Sequence, residues 1–97
     1  MACSGLEGFV FTGHARFEMA RREISEEDVV SVLEAPEQME EQRPGRCVYQ
    51  QRVTDPAEGK MYLLRVFVDV DRTPAEVVSV YRTSKVAKYW RLHASNL

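Results

Sequence analysis

The sequence predicts an α+β domain: two N-terminal helices packed on a small antiparallel sheet of about three to four strands, with a short C-terminal helix. Three observations predict it. Helical patterns with caps occupy the first third of the chain, and strand patterns separated by turn residues fill the middle. At the end, a strand runs directly into a basic helix. Short connections between strands favour an antiparallel meander, and helices beside such a sheet cover one of its faces. The 97 residues, 44% of them apolar, make one domain over residues 1–97.

Residues 8–12 form a short apolar strand. Helix one starts at Thr12 or Gly13, with residues 14–22 as its body. Ala15, Phe17, Met19 and Ala20 give it a broad apolar side. His14, Glu18 and Arg21, at i, i+4 and i+7, share another face. Helix two is signalled more sharply. Ser25 is its N-cap, and Glu26, Glu27 and Asp28 face the positive end of the helix dipole. Ile24 and Val29 match a hydrophobic staple. Val29, Val32 and Leu33 make the buried stripe, and Pro36 disfavours helical backbone at Ala35. These acids therefore have a structural reason to be there, which weakens any catalytic reading of them.

Residues 37–45 read as a polar loop. Strands follow at 46–53, 60–70 and 76–83, with turn residues at 54–59 and 71–74 between them. Tyr81 and Arg82 point to opposite faces of the last strand. Ser84 is the expected cap of the C-terminal helix. Val86, Tyr89, Trp90 and His93 face the sheet, and Lys85, Lys88 and Arg91 lie broadly on the other side.

Net charge is −2, which argues against a generic polyanion binder, but the charge is polarised along the chain. Residues 1–42 hold ten acids and three bases, whereas residues 43–97 hold ten bases and five acids. From Val77 to the C-terminus there is no Asp or Glu. That acid-free segment carries Arg82, Lys85, Lys88 and Arg91 beside Tyr89 and Trp90. Cations for phosphate and rings for base stacking are what a nucleic-acid surface needs, and free amides at the helix start suit a phosphate. The plain alternative is a solvated basic face over core aromatics.

His14 is a second candidate, as a proton shuttle near neutral pH. Two distant histidines and unpaired cysteine spacing give no metal site, and no phosphate-binding glycine loop or nucleophile elbow is present, so no cofactor is expected. No apolar run is long enough to cross a bilayer, and the N-terminus lacks the regions of a secretory signal. Cys3 and Cys47 are expected as reduced thiols of a cytoplasmic protein, with a Cys3–Cys47 disulfide as the alternative.

The run His14, Ala15, Arg16, then Met19, Arg22, Ile24, Ser25, Val29, Pro36 and Glu37 resembles the opening of a small bacterial domain family of uncharacterised function. Residues 80–85 and then Lys88, Tyr89 and Trp90 resemble that family's ending. The order of elements is also similar to the BrnT toxins and, through them, to the RelE/ParE toxin superfamily. This resemblance implies a metal-independent ribonuclease of a toxin–antitoxin system, with an antitoxin protein and RNA or the ribosome as partners. By the same resemblance, Arg82 and Lys85 contact phosphate and Tyr89 or His14 moves protons. Arg22, Arg65, Lys88 and Arg91 then support RNA binding. The reading from a different class is a non-catalytic protein-interaction module with the same fold.

Overall fold

The computed structural model describes residues 3–91. Its elements are β1 (Phe9–Phe11), α1 (Gly13–Arg21), α2 (Glu26–Glu34), β2 (Gln38–Arg43), β3 (Arg46–Asp55), β4 (Lys60–Asp69), β5 (Ala75–Thr83) and α3 (Val86–Tyr89). The strands form one sheet in the order β1-β5-β4-β3-β2. Strands β2 to β5 make an antiparallel meander, and β1 lies parallel to β5. The α+β class stands. The sheet, however, has five strands and is mixed, where three to four antiparallel strands were expected.

Two elements explain the difference. Strand β1 pairs with β5 after a long crossover, the only kind of connection that permits parallel neighbours. Residues 37–45, expected as loop, contain β2. An edge strand has one neighbour, and most side chains of β2 meet water, so its composition reads as polar. Its hairpin to β3 turns at Pro44 and Gly45. Gly45 has φ 86°, and a Cβ there would lie 2.6 Å from the Asp71 carboxylate. Pro followed by a left-handed Gly is the signature of a type II turn.

The core lies between the sheet and helices α1 and α2. Leu64, Val66 and Val68 of β4 meet Tyr49, Val77 and Val80 on one side, and Ala15, Met19, Val29, Val32 and Leu33 on the other. Val77 and Val80 are three residues apart and would point to opposite faces of a regular strand. A register shift in the β4–β5 pairing, between Phe67 and Val68, brings both into the core.

Thr12 fixes α1 to the sheet. Its Oγ1 accepts from the Ala15 N–H at 3.1 Å and donates to the Val77 carbonyl at 3.0 Å. The apolar side of α1 is narrower than expected. Ala15 and Met19 are buried, but Phe17 is 63% exposed, and Ala20 is exposed too. Phe17 lies two positions from both buried residues, on the far side of the helix.

The end of α1 is locked by backbone geometry. Glu23 has φ 57°, the Ile24 N–H donates to the Met19 carbonyl at 2.9 Å, and the Glu23 N–H donates to the Ala20 carbonyl at 3.3 Å. This is the Schellman pattern with its apolar contact, since Met19 and Ile24 are both buried. A glutamate occupies the left-handed position that usually takes glycine. One residue after Ile24, Ser25 caps α2, its Oγ accepting from the Asp28 N–H at 3.1 Å. Ile24 thus closes one helix and staples the next.

The expectation of reduced thiols is corrected. Cys3 and Cys47 form a disulfide across a sequence separation of 44 residues. Tyr49 adds a second tie, donating its phenol proton to the Ser4 carbonyl at 2.6 Å, and burial pushes that phenol above its usual value. The bond removes the support that reduced cysteines would give to a cytoplasmic setting. Among the described residues, no helix is long and apolar enough to cross a membrane. Helix α3 is a single turn. Ser84 does not cap it; Lys85 takes that position without a side-chain bond, and its N–H donates to Thr83 Oγ1 at 3.1 Å. One turn offers no row of free amides for phosphate. His93 lies outside the described residues.

Two stability measurements follow. Glu23→Gly relieves a left-handed residue and raises the melting temperature by a few degrees, about 0.5–1 kcal/mol, whereas Ser25→Ala costs about 1 kcal/mol. Reducing the disulfide lowers stability by roughly 2–4 kcal/mol, and a melt that does not move on adding reductant contradicts this.

Candidate functional site

Strand β4 has a second face. Alternation turns Leu63, Arg65 and Phe67 away from α1 and α2. The register of the four antiparallel strands aligns Gln38, Gln50, Arg65 and Tyr81 in one row across the sheet. Arg65 Nε donates to Gln50 Oε1 at 2.9 Å, and Arg65 Nη1 donates to the Tyr81 hydroxyl at 2.7 Å. Gln50 Nε2 donates to Gln38 Oε1 at 2.7 Å.

This row has a direction. A guanidinium only donates, so Arg65 forces Gln50 to present its oxygen. The Gln50 amide must then offer its NH2 to Gln38, whose oxygen turns inward and whose NH2 is left to donate outward. That NH2 reaches the carbonyl of Arg91, while the Arg91 N–H donates to Gln38 Oε1 at 3.1 Å. Gln50 Nε2 also donates to the Tyr89 carbonyl at 3.2 Å. The stretch 89–91 of the acid-free segment therefore docks on the polar row through its backbone. Its side chains add to the hold. The Arg52 guanidinium sits 4.2 Å from the Trp90 ring centroid, and Arg91 pairs with Glu40 at 2.8 Å.

Docking builds a cluster of cations and rings around Arg65. Its Cζ lies 4.4 Å from the Tyr89 ring centroid, 5.3 Å from Phe67 and 5.7 Å from Tyr81. Phe67 and Tyr81 stack at 5.9 Å, and Tyr89 stands edge-on to Tyr81. From the end of α1, Arg22 brings its Cζ to 5.9 Å from the same Tyr81 ring. Arg65 is only 8% exposed, and no carboxylate of the described residues lies within ion-pair distance of it. Neutral oxygens and aromatic faces offset its charge instead.

Arg22 pairs with Glu18 at 3.0 Å, but its Nε is buried with no hydrogen-bond partner. The Glu18 carboxyl is held below its usual value, chiefly by the hydrogen bond from Arg21 and further by the charges of Arg21, Arg22 and His14. The Tyr89 phenol is also lowered. Hydrogen bonding with Tyr81 and then with Lys88 is the main cause, aided by the charges of Lys88 and Arg65 and opposed by desolvation. Lys88 Nζ lies 5.3 Å from the Tyr89 ring.

Of the eight site residues expected from sequence, Arg22, Arg65 and Tyr89 come together around Tyr81, with Lys88 beside Tyr89. The other four do not. Arg82 lies on the opposite face of β5, with its Cζ 5.3 Å from the Tyr62 ring. Lys85 is exposed at the start of α3, Arg91 is paired with Glu40, and His14 is exposed on the first turn of α1. A cleft of about 570 Å³ beside Ser4, Leu6, Tyr49 and Pro74 shares no residue with the cluster. Among the described residues, no group of three or more His, Cys, Asp or Glu could hold a metal ion.

A family model described as Domain of unknown function (DUF4258) matches residues 11–82, well over half of the chain. The chain belongs to this family. The DUF4258 match covers α1, α2 and nearly the whole sheet, including Arg22, Gln38, Gln50, Arg65 and Tyr81. Lys88 and Tyr89, on the docked segment, lie beyond it. No curated protein and no solved structure matches the chain.

Tyr81, Gln50 and Gln38 were not among the expected site residues. Strand alternation already placed Tyr81 opposite Arg82, but only the cross-strand register reveals the row, and a single sequence does not carry that register. A depressed phenol favours the folded state only where it is ionised. Its contribution is present above the unfolded tyrosine value and lost as pH falls through the folded one. In a tyrosine-resolved NMR titration, Tyr89 should ionise before Tyr49 and Tyr62, both of which are raised. Lys88→Ala should move it back toward the ordinary value.

Proposed function

We propose that this domain binds single-stranded RNA at the Arg22–Arg65–Tyr81–Lys88–Tyr89 cluster and cleaves it as a toxin-type ribonuclease. The observation that carries the reading is the Tyr89 ring held 5.3 Å from Lys88 Nζ and 4.4 Å from the Cζ of a buried Arg65 that has no carboxylate within ion-pair distance among the described residues. Three cations there suit a phosphodiester, and the rings suit stacked bases. The order of elements read from the sequence resembles that of the BrnT and RelE/ParE toxins, and an antitoxin protein is the partner that this resemblance implies. With RNA as substrate, this reading sets the activity in the cytoplasm.

The chemistry balances without a further reactant. Tyr89, as phenolate, takes the proton of a ribose 2′-hydroxyl, whose oxygen bonds to the adjacent phosphorus. The bond from phosphorus to the 5′-oxygen breaks, and Lys88 supplies the proton to that leaving oxygen. Arg22 and Arg65 stabilise the charge that builds on the phosphoryl oxygens. Cyclic phosphate and a free 5′-hydroxyl are the products.

A non-catalytic interaction module is the second reading. The burial of Arg65, whose Nε and Nη1 already bond within the fold, favours it. Fluorescence anisotropy with a labelled single-stranded oligoribonucleotide tests binding. Lys88→Ala should weaken affinity several-fold at low salt and lower the salt slope by about 0.7–1. Induced expression of the wild type should arrest bacterial growth with RNA loss, and Tyr89→Phe should abolish both. Absent RNA binding at low salt contradicts the proposal, and growth arrest with intact RNA favours the interaction module.

A further inference from the structure

Resting on that reading, we propose that the site is assembled by docking of the C-terminal segment, and that Gln38 is the positioning residue that fixes it. Gln38 is buried on the edge strand β2, 3% exposed, yet it contacts none of the cluster's charged or aromatic side chains in the hydrogen-bond network. Its amide instead reads the backbone of one residue, Arg91, accepting from the N–H and donating to the carbonyl. Such pairing recognises an extended backbone whatever its side chains. It therefore serves to hold a segment in place rather than to contact a ligand.

The segment needs this hold. Helix α3 is one turn long, has no side-chain cap and buries none of its residues fully. Without the sheet it has too few bonds to persist. On it ride Lys88 and Tyr89, while Arg22, Arg65 and Tyr81 belong to the helices and sheet. Release of the segment separates the phenol from Arg65 and from Tyr81, and leaves a sheet face with guanidinium groups but no acid–base group. Docking and ligand binding are then linked: whatever holds the segment down favours the ligand, and a ligand bridging Arg65 and Lys88 holds the segment down.

Trp90 is the one tryptophan of the chain and stacks on Arg52, so its fluorescence reports docking without any ligand. Gln38→Met keeps the length and burial of the side chain and deletes the amide. Losing its two bonds to Arg91 should reduce the docked fraction by about tenfold in equilibrium constant. The expected result on the full-length oxidised protein is a red-shifted, more acrylamide-quenchable Trp90 and a Tyr89 titration returned to the ordinary tyrosine range. Circular dichroism should show the sheet intact. Unchanged quenching together with an unchanged Tyr89 titration overturns the proposal. Should Gln38→Met fail to fold, Arg52→Ala, an exposed change that removes the cation under Trp90, should move both readouts the same way; unchanged readouts there also overturn it. Neither readout involves RNA. Undocking with no loss of oligoribonucleotide affinity would therefore support the positioning role while removing the ribonuclease reading.

Discussion

Arg65 is a charge taken out of water with no counter-charge among the described residues, and the second face of the sheet is organised around that fact. A lone buried guanidinium is expensive unless its donors and its positive face are satisfied. Gln50 and Tyr81 take two of its donors, and Tyr89, Phe67 and Tyr81 present ring faces. The donor-only character of arginine then propagates through Gln50 to Gln38 and from there to the backbone of Arg91. The orientation of two amides and the seat of the C-terminal segment both follow from the position of one side chain on β4.

The two faces of β4 solve different problems. One is aliphatic and seals against α1 and α2, supported at its end by the Cys3–Cys47 bond. The other is a polar row with aromatic cover. Buried polar networks of this kind add little net stability, since each bond replaces one with water. They do penalise any arrangement that leaves a member unpaired, and so they specify one register and one docking position. The family match is consistent with this division: it spans the platform and stops before the residues that dock on it.

Much of the frame was legible in the sequence because local signals coincide with it. Ser25, Ile24, Val29 and Pro36 mark α2 through capping, stapling and steric exclusion, and each is found in that role. The meander of β3, β4 and β5 was readable from β-branched runs between turn residues. Strand β2 was not, because an edge strand in water has the composition of a loop. The parallel pairing of β1 depends on residues far along the chain, and no local pattern encodes it. At the site, helical and strand periodicity correctly separated Tyr81 from Arg82, but charge alone grouped Arg82 with Lys88 and Tyr89. The pleat puts Arg82 on the other side of the sheet. Glutamines 38 and 50 carry no charge or motif, and only cross-strand register brings them into the row with Arg65.

The pairing of β1 with β5 has a consequence for the order of folding. Phe9 aligns with Ala75 and Phe11 with Val77, so β1 finds its neighbour only after β2, β3 and β4 have been made. During synthesis, β1 and α1 must wait until β5 has emerged, since the Thr12 cap also closes on Val77. The meander of β2 to β5 uses shorter closures and is the part able to form early. A translating ribosome therefore presents an N-terminal helix whose docking surface does not yet exist. Until then, Phe9, Phe11 and Met19 remain available to chaperones or to neighbouring chains.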